Sequence, residues 1–526
     1  LLCRVRVITD ISKTVLLYCD NKWLVIHKPT GISTHAVNQG DLGIAEWMEL
    51  HHNIKVYICS RLDKGTSGVL VFALTPEASG IAENIHKNNL SKKNYHFLSD
   101  RKPPVEKSWR CRKSLDGKEC ETSFELEREG NGYFLYRAEI SRGRKHQIRR
   151  HASLSGLPVL GDEEYGGTSF PRLCLHCGEI SWPGLPKRIT VKLPQSFEWL
   201  LAGKKLMIVD VIVAYERRLD WLLSTTNAFR LVHRGEVRDL DFAIDIFDSW
   251  ICVTGFDEKL SSEKLRKKLV PILEYFSKVF ACRGGVVRIN RRNPHQNKLF
   301  SEIISWRELP PDRFLVREHG LFFEVTFNES KHVGFFLDQR DSRRRLGKIS
   351  QGKRVANLFS FTCSFSVVSV KSDAEVVFSV DLASGTLKRG KSNFSYNNIA
   401  ESGRGKFIKE DVQKWLARQI RKKKENSKAF EKWDLVICDP PVFASSGKGL
   451  SFSVEREWPG LANNIREILS DKGIALFVNN HRGGSEKYYF KELAKCFAKV
   501  ISLRPPFDFP ELKDSPPHVR IYWCEV

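Results

Sequence analysis

Short apolar runs broken by turn residues open the chain. Val15-Leu16-Leu17-Tyr18 and Trp23-Leu24-Val25-Ile26 flank Asp20-Asn21 and predict two strands joined by a turn. Gly68-Val69-Leu70-Val71-Phe72-Ala73-Leu74 is continuously apolar and predicts a buried strand. Residues 121–140 alternate as strands, with a turn near Gly130-Asn131-Gly132. Strands at short spacing with few helices predict an α+β fold with a largely antiparallel sheet over residues 1–205. Residues 206–330 add strand-like pieces at 242–246 and 250–254 around Asp248-Ser249, beside a helical stretch near 260–281. They predict an α+β connecting or positioning domain without a chemistry-bearing motif of its own. From 353 the rhythm changes. Val355–Phe359, Val376–Val380, Asp434–Cys438 and Ile474–Val478 are strand candidates, separated by helical stretches such as 411–430 and 459–470. This alternation predicts a parallel, doubly wound, Rossmann-like α/β domain over 331–526.

Composition narrows the function classes. The 526 residues are 41% hydrophobic, enough for several cores, which excludes a mostly disordered chain. No apolar run approaches the ~20 residues of a membrane-spanning helix. No signal-peptide pattern is visible, although the chain opens on Leu1 rather than Met. A cytoplasmic location is expected. The 85 Lys+Arg against 62 Asp+Glu leave +23. Residues 1–200 hold 29 basic and 22 acidic residues (+7), 201–330 hold 21 and 18 (+3), and 331–526 hold 35 and 22 (+13). An excess of that size at both ends suits a polyanionic partner and makes a small neutral substrate a poor sole explanation. The 13 cysteines are irregularly placed. Cys174-Leu175-His176-Cys177 has knuckle-like spacing without a second ligand pair, so no metal site is expected.

The first candidate site pairs an acid with a basic segment. Arg61-Leu62-Asp63-Lys64-Gly65-Thr66-Ser67-Gly68 sets one carboxylate on a tight polar loop before a buried strand. Gly143-Arg144-Lys145-His146-Gln147-Ile148-Arg149-Arg150-His151 lies far downstream. An Asp near an Arg stays ionised, which suits a nucleophile, and an ordinary loop salt bridge fits the pattern alone equally well. Arg61 to Gly68 resembles the R-L-D-x-x-T-S-G signature of RluA-type pseudouridine synthases. Further stretches match that family in order: Ile26 to Gly31 its N-K-P-x-G, Lys93-Asn94-Tyr95 its K-x-Y, Arg144 to Arg149 its R-T-H-Q-I-R, and Leu160-Gly161-Asp162 with Tyr165-Gly166 its G-D-x-x-Y-G. The closing L-H and L-P are matched by Leu175-His176 and Leu193-Pro194. The resemblance covers about residues 15–200. It implies that Asp63 is the nucleophile, that Arg149 pairs with it, and that Tyr95 stacks on the extruded base. It also implies that Arg61, Arg144 and His146 hold RNA, and that no cofactor is required. Ser60 and Arg142 depart from the family at positions next to these motifs.

The second candidate site is a row of strand ends. Asn357-Leu358-Phe359-Ser360-Phe361-Thr362-Cys363 follows a strand and opens a helix. Asp381 ends the next strand, 24 residues after Asn357, where an acid can accept ribose hydroxyls. Asp411 and Asp439-Pro440-Pro441 close two more. Each acid alone could be a helix cap or turn, but together they line one sheet edge. This half resembles class I S-adenosylmethionine-dependent methyltransferases, and within them the RlmI/RlmK group acting on large-subunit ribosomal RNA. The resemblance rests on Val333-Gly334-Phe335-Phe336-Leu337-Asp338-Gln339-Arg340, on Asn357 to Thr362 and on Asp439 to Phe443, and covers about 220–526. It implies S-adenosylmethionine as cofactor, with Asp381 at its ribose, Asp411 at its adenine, and Arg340, Asn357, Phe359 and Asp439 at its methionine end. Cys363 replaces a glycine usual in the group and is expected to crowd the cofactor. Relatives making 5-methylcytosine carry a Cys after the fifth strand. Here that place reads Asn479-Asn480-His481-Arg482, without Cys, and its Asn-Asn-x-Arg resembles the RlmK branch, which implies methylation at guanine N7.

These readings together suggest an enzyme with two RNA-modifying activities. The competing readings are a methyltransferase whose first domain only binds RNA, and an RNA-binding protein with an inactive methyltransferase half.

Overall fold

A computed structural model describes residues 15–526 apart from 103–106, 142, 258, 293–298, 329–331, 426–429, 446–450 and 513–516. The chain forms two compact units. One comprises residues 15–37, Leu42–Thr225 and Leu231–Phe242, and the other Asn38–Asp41, Thr226–Arg230 and Ala243–Val526.

The first unit is built on one sheet whose main path runs Leu16–Cys19, Trp23–Lys28, Ser67–Ala73, Leu175–Ser181, Lys92–Ser99, Tyr133–Ile140, Thr122–Gly130, Ser108–Cys111. Ser67–Ala73 and Leu175–Ser181 pair in parallel, whereas their outer neighbours pair antiparallel. The turn after Cys19 forms because Asp20 Oδ1 accepts the N–H groups of Lys22 and Trp23 at 2.7 and 2.6 Å, an Asx-type closure. Every residue of Ser67–Ala73 is buried, as its unbroken apolar run requires. Cys174 and Cys177 are buried thiols at and within the strand beside it.

The second unit carries two larger sheets. Ala228–Val232, Phe242–Phe247, Trp250–Gly255, Gly284–Arg292 and Leu299–Arg307 form a five-stranded sheet. The helix Ser262–Val279 makes the crossover between the parallel strands Trp250–Gly255 and Gly284–Arg292. Its N-cap is Ser261, which accepts the Lys264 N–H. The larger sheet has seven strands in the order Gly405–Lys409, Val376–Asp381, Arg354–Leu358, Trp433–Cys438, Leu469–Asn479, Arg520–Glu525, Lys499–Leu503. The first five run parallel, and Arg520–Glu525 is antiparallel to both its neighbours. Val355, Leu435, Ile437 and Leu476 pack into one core, while Ala356, Val436, Cys438 and Phe477 pack into another. Both faces are covered, so these strands read as continuous apolar runs and their polar residues collect at the carboxyl ends. Among the described residues no helix is long and apolar enough to cross a membrane.

Candidate active sites

In the first unit Asp63, Tyr95, Arg149, Arg61, Arg144 and His146 all line one cavity of about 830 Å³. The Asp63 loop is fastened from one side by residues 28–34. Thr34 Oγ1 donates to the Leu62 carbonyl and accepts the Leu62 N–H, Thr30 Oγ1 donates to the Gly65 carbonyl, and the Gly31 N–H donates to the Lys64 carbonyl. Lys28 is fully buried and donates to the carbonyls of Pro29 and Ile32 at 2.8 and 2.7 Å. Gly68 closes the loop at φ +122°, where a Cβ would overlap the Cys177 carbonyl oxygen. These bonds account physically for the polar residues between the two strands.

Asp63 Oδ2 stands 3.8 Å from Arg149 Nη1, and Oδ1 stands 3.8 Å from His146 Nε2. Both distances lie beyond hydrogen-bond length. The stronger partner of Arg149 is Asp162, which accepts from Nε at 2.7 Å and Nη2 at 2.6 Å, with Glu164 accepting from Nη2 at 2.8 Å. The guanidinium also lies 4.9 Å from the Tyr165 ring centre, and the Tyr165 hydroxyl bonds His146 Nδ1 at 3.0 Å. The stretch from Asp162 to Tyr165 therefore positions the arginine and histidine that face Asp63. Sequence reading placed Asp162 and Tyr165 in a motif without seeing this task, and it did not single out Glu164. Tyr95 is 6% exposed, and burial raises its phenol well above the ordinary range, so it presents a neutral O–H. His176 is buried against Ser67, at 2.9 Å, and burial holds it neutral.

In the second unit the six predicted cofactor residues separate into two groups. Asp381, Asp411, Asp439 and Phe359 sit at or just beyond the carboxyl ends of strands. Asp381 accepts the N–H groups of Phe361 and Ala383, both at 2.8 Å, and burial raises its carboxyl. Its carboxylate thus fixes the loop after Leu358. Asp411 caps the helix Val412–Lys424 by accepting the Lys414 N–H at 3.1 Å. Asp439 is pushed up to about 7 by burial and by the nearby Asp338. Asp338 is held by His518 at 3.2 Å, and Arg482 Nη2 lies 3.4 Å from His518 Nδ1. Phe443 is 71% exposed, with its ring 6.1 Å from that of His481. Asp338, His481 and His518 were not singled out from sequence. Asp338 lay in a quoted motif, whereas His518 carried no signal.

Arg340 and Asn357 are turned inward instead. Arg340 is fully buried and donates to Asp508 Oδ1 at 2.8 Å, Asp508 Oδ2 at 3.2 Å and the Ala228 carbonyl at 3.0 Å. Asn357 donates to Ser366 Oγ at 2.9 Å and thereby ties the strand end to the next helix. Both hold the walls of the site rather than its opening.

The loop after Leu358 has an uncommon backbone. Phe359, Phe361 and Cys363 all adopt positive φ, at 57°, 48° and 63°, without a glycine among them. Each such residue costs on the order of 1 kcal/mol or more, and strain of this kind concentrates at ligand sites. The Cys363 side chain is buried, with its thiol against Ser360 Oγ at 3.7 Å. It faces Gly390, where a Cβ would overlap Cys363 Sγ. The missing side chain of Gly390 makes room for the thiol on the core side of the loop. Gln339 is 2% exposed, and among the described residues neither of its amide atoms has a hydrogen-bond partner. A strained loop anchored on Asp381 and a buried amide awaiting a partner fit a polar ligand such as S-adenosylmethionine.

Two family comparisons coincide with the two units. The RNA pseudouridylate synthase family model matches residues 22–154. The S-adenosylmethionine-dependent methyltransferase family model matches residues 240–519. That second match covers more than half of the chain, and the chain belongs to the S-adenosylmethionine-dependent methyltransferases. It is an enzyme, with S-adenosylmethionine as cofactor of this part and a pseudouridine synthase domain before it. The Ribosomal RNA large subunit methyltransferase K/L of Psychrobacter arcticus is 30% identical over 50% of this chain and 34% of its own length. The Ribosomal RNA large subunit methyltransferase K of Neisseria meningitidis serogroup B is 28% identical over 51% of this chain and 75% of its own. The chain thus spans about a third of the length of the K/L proteins it matches. A putative methyltransferase complexed with SAH shares the fold at TM-score 0.51, with 20% identity over 72% of this chain and 98% of its own. A putative methyltransferase from Streptococcus mutans does so at TM-score 0.50, with 22% identity over 65% and 86%.

Proposed function

We propose that the chain is a bifunctional RNA-modifying enzyme. Its first unit isomerises uridine to pseudouridine, and its second transfers a methyl group from S-adenosylmethionine to a base of large-subunit ribosomal RNA, with guanine N7 favoured. The observation that carries this reading is Asp63, a carboxylate on an 830 Å³ cavity that Arg149 and His146 approach only to 3.8 Å, leaving it available to a substrate. Asp63 attacks the sugar, Tyr95 stacks on the base, and Arg149 pairs with Asp63. Arg61, Arg144 and His146 hold the RNA around a base taken out of its stack. Residues 206–330 serve as a connector that positions RNA.

In the second unit Asp381 binds the cofactor ribose, Asp411 its adenine, and Phe359 and Asp439 its methionine end. Arg340 and Asn357 shape these walls from behind. S-adenosylmethionine supplies an electrophilic methyl group. The choice of guanine rests on two features. The stretch Asn480-His481-Arg482 directly after Leu469–Asn479 carries no cysteine, and Cys438 is buried with its thiol pushed far up, so a covalent route to a ring carbon lacks its nucleophile. A protonated Asp439 carboxyl can donate to O6 of guanine and leave the lone pair of the neighbouring N7 free to attack the methyl group. Incubation of the purified chain with unmodified large-subunit rRNA and S-adenosylmethionine, followed by nucleoside mass spectrometry, tests the reading. Pseudouridine and 7-methylguanosine are expected. 5-methylcytosine in place of the latter, or an unchanged uridine content, would overturn the corresponding half.

A further inference from the structure

Lys93 and Tyr95 are two residues apart on the strand Lys92–Ser99, so their side chains leave the same face of the sheet, and both line the cavity that holds Asp63. Among the described residues no hydrogen bond or ion pair reaches the Lys93 side chain. The ionisable group felt most strongly by it is the Cys177 thiol, which burial pushes up to about 11, so that it carries no charge at neutral pH. Tyr95 is likewise neutral and senses Asp63, whereas Asp63 is grouped with Arg149 and His146. Lys93 is thus a half-buried ammonium on the catalytic cavity with no anion of its own, and its partial desolvation lowers its proton affinity. An unpaired, partly desolvated cation is unfavourable in a resting fold and becomes useful where negative charge develops during a reaction. The rim of the same cavity already carries the exposed Arg61 and Lys145, which suit backbone phosphates. Lys93 is more enclosed and stands beside the ring on which the base stacks.

We propose that Lys93 is a catalytic residue of the first site, donating hydrogen bonds to the carbonyl-oxygen edge of the uracil and stabilising the anion formed when that base leaves its sugar. The inference rests on the reading that this unit isomerises uridine. In the step concerned the C1′–N1 bond breaks and its electron pair stays on the base, spread over N1, O2 and O4. A carboxylate oxygen of Asp63 bonds C1′. After rotation C5 attacks C1′ and displaces that carboxylate, and the proton on C5 passes through water to N1. Lys93 keeps its proton throughout. It acts on the interval in which the detached base is an anion, and contributes through charge stabilisation rather than proton transfer.

The test uses the full chain and an RNA that the wild-type protein isomerises, transcribed with either uridine or 5-fluorouridine, under single-turnover conditions. Fluorine stabilises the departing uracil anion without help from the protein. K93M is expected to slow consumption of the uridine RNA by about 100-fold or more, in the range seen for lost oxyanion donors, but that of the 5-fluorouridine RNA by about 10-fold or less. K93R, which retains a cationic donor, is expected to recover most of the rate. If K93M does not fold, K93Q is compared on the same two RNAs. Equal losses on both RNAs, or a variant within twofold of wild type on uridine, would overturn the role given to Lys93. A wild-type protein that isomerises no ribosomal RNA would overturn the reading beneath it.

Discussion

Arg149 donates to both carboxylate oxygens of Asp162, at 2.7 and 2.6 Å, and this fork fixes the guanidinium face that looks onto Asp63. The Asp162 side chain is 1% exposed, so the pair is a buried one whose disruption leaves an uncompensated charge. Asp162→Ala should lower the stability of the first unit by about 3–5 kcal/mol in a denaturant titration. A displacement of Arg149 by ~1 Å should reduce pseudouridine formation about 100-fold. Asp162→Asn, which retains an acceptor, should lose less of both. Full isomerase activity in Asp162→Ala would show that Arg149 needs no such positioning.

Cys363 and Gly390 form a complementary pair. Gly390→Ala should destabilise the second unit by about 1–3 kcal/mol, because the new methyl overlaps the Cys363 thiol. Cys363→Gly should remove a left-handed non-glycine residue and rescue Gly390→Ala, giving a coupling of about 0.5–3 kcal/mol in a double-mutant cycle. S-adenosylmethionine affinity, read by calorimetry, should be the same in wild type and Cys363→Gly. A gain on removing Cys363 would mean that its side chain does reach the cofactor.

Asp439 supplies a pH signature. Its folded carboxyl is raised to about 7 by burial and by Asp338, so the folded state holds a proton that the unfolded chain has already released. Its contribution to stability is fully present below the unfolded value near 3.8 and is lost as pH rises through about 7. Asp439→Asn should flatten that part of the pH–stability curve. Methyl transfer in wild type should fall as pH rises through the same window, because the donor O–H disappears. A methylation rate that instead rises across this window would contradict a neutral Asp439.

Much of this was legible in the sequence where one residue type does one job. The unbroken apolar runs marked strands covered on both faces, and each of the six residues expected in the first site lines its cavity. What sequence could not supply was the direction of a side chain. Asn357 and Arg340 occupy motif positions, but their amide and guanidinium reach Ser366 and Asp508, the latter 168 residues away along the chain. The direction of Cys363 depended in the same way on a glycine across a helix. His518 was invisible because its partner, Asp338, is 180 residues distant and no local pattern links them.

The central claim is that two sites on one chain carry out two separate modifications. The most direct measurement is nucleoside-resolved mass spectrometry of large-subunit rRNA from cells lacking the chain, complemented with wild type, Asp63→Ala or Asp439→Ala. Asp63→Ala should lose a pseudouridine and keep the methylated guanosine, and Asp439→Ala should do the reverse. Restoration of the pseudouridine by Asp63→Ala, or of the methylation by Asp439→Ala, would contradict the account.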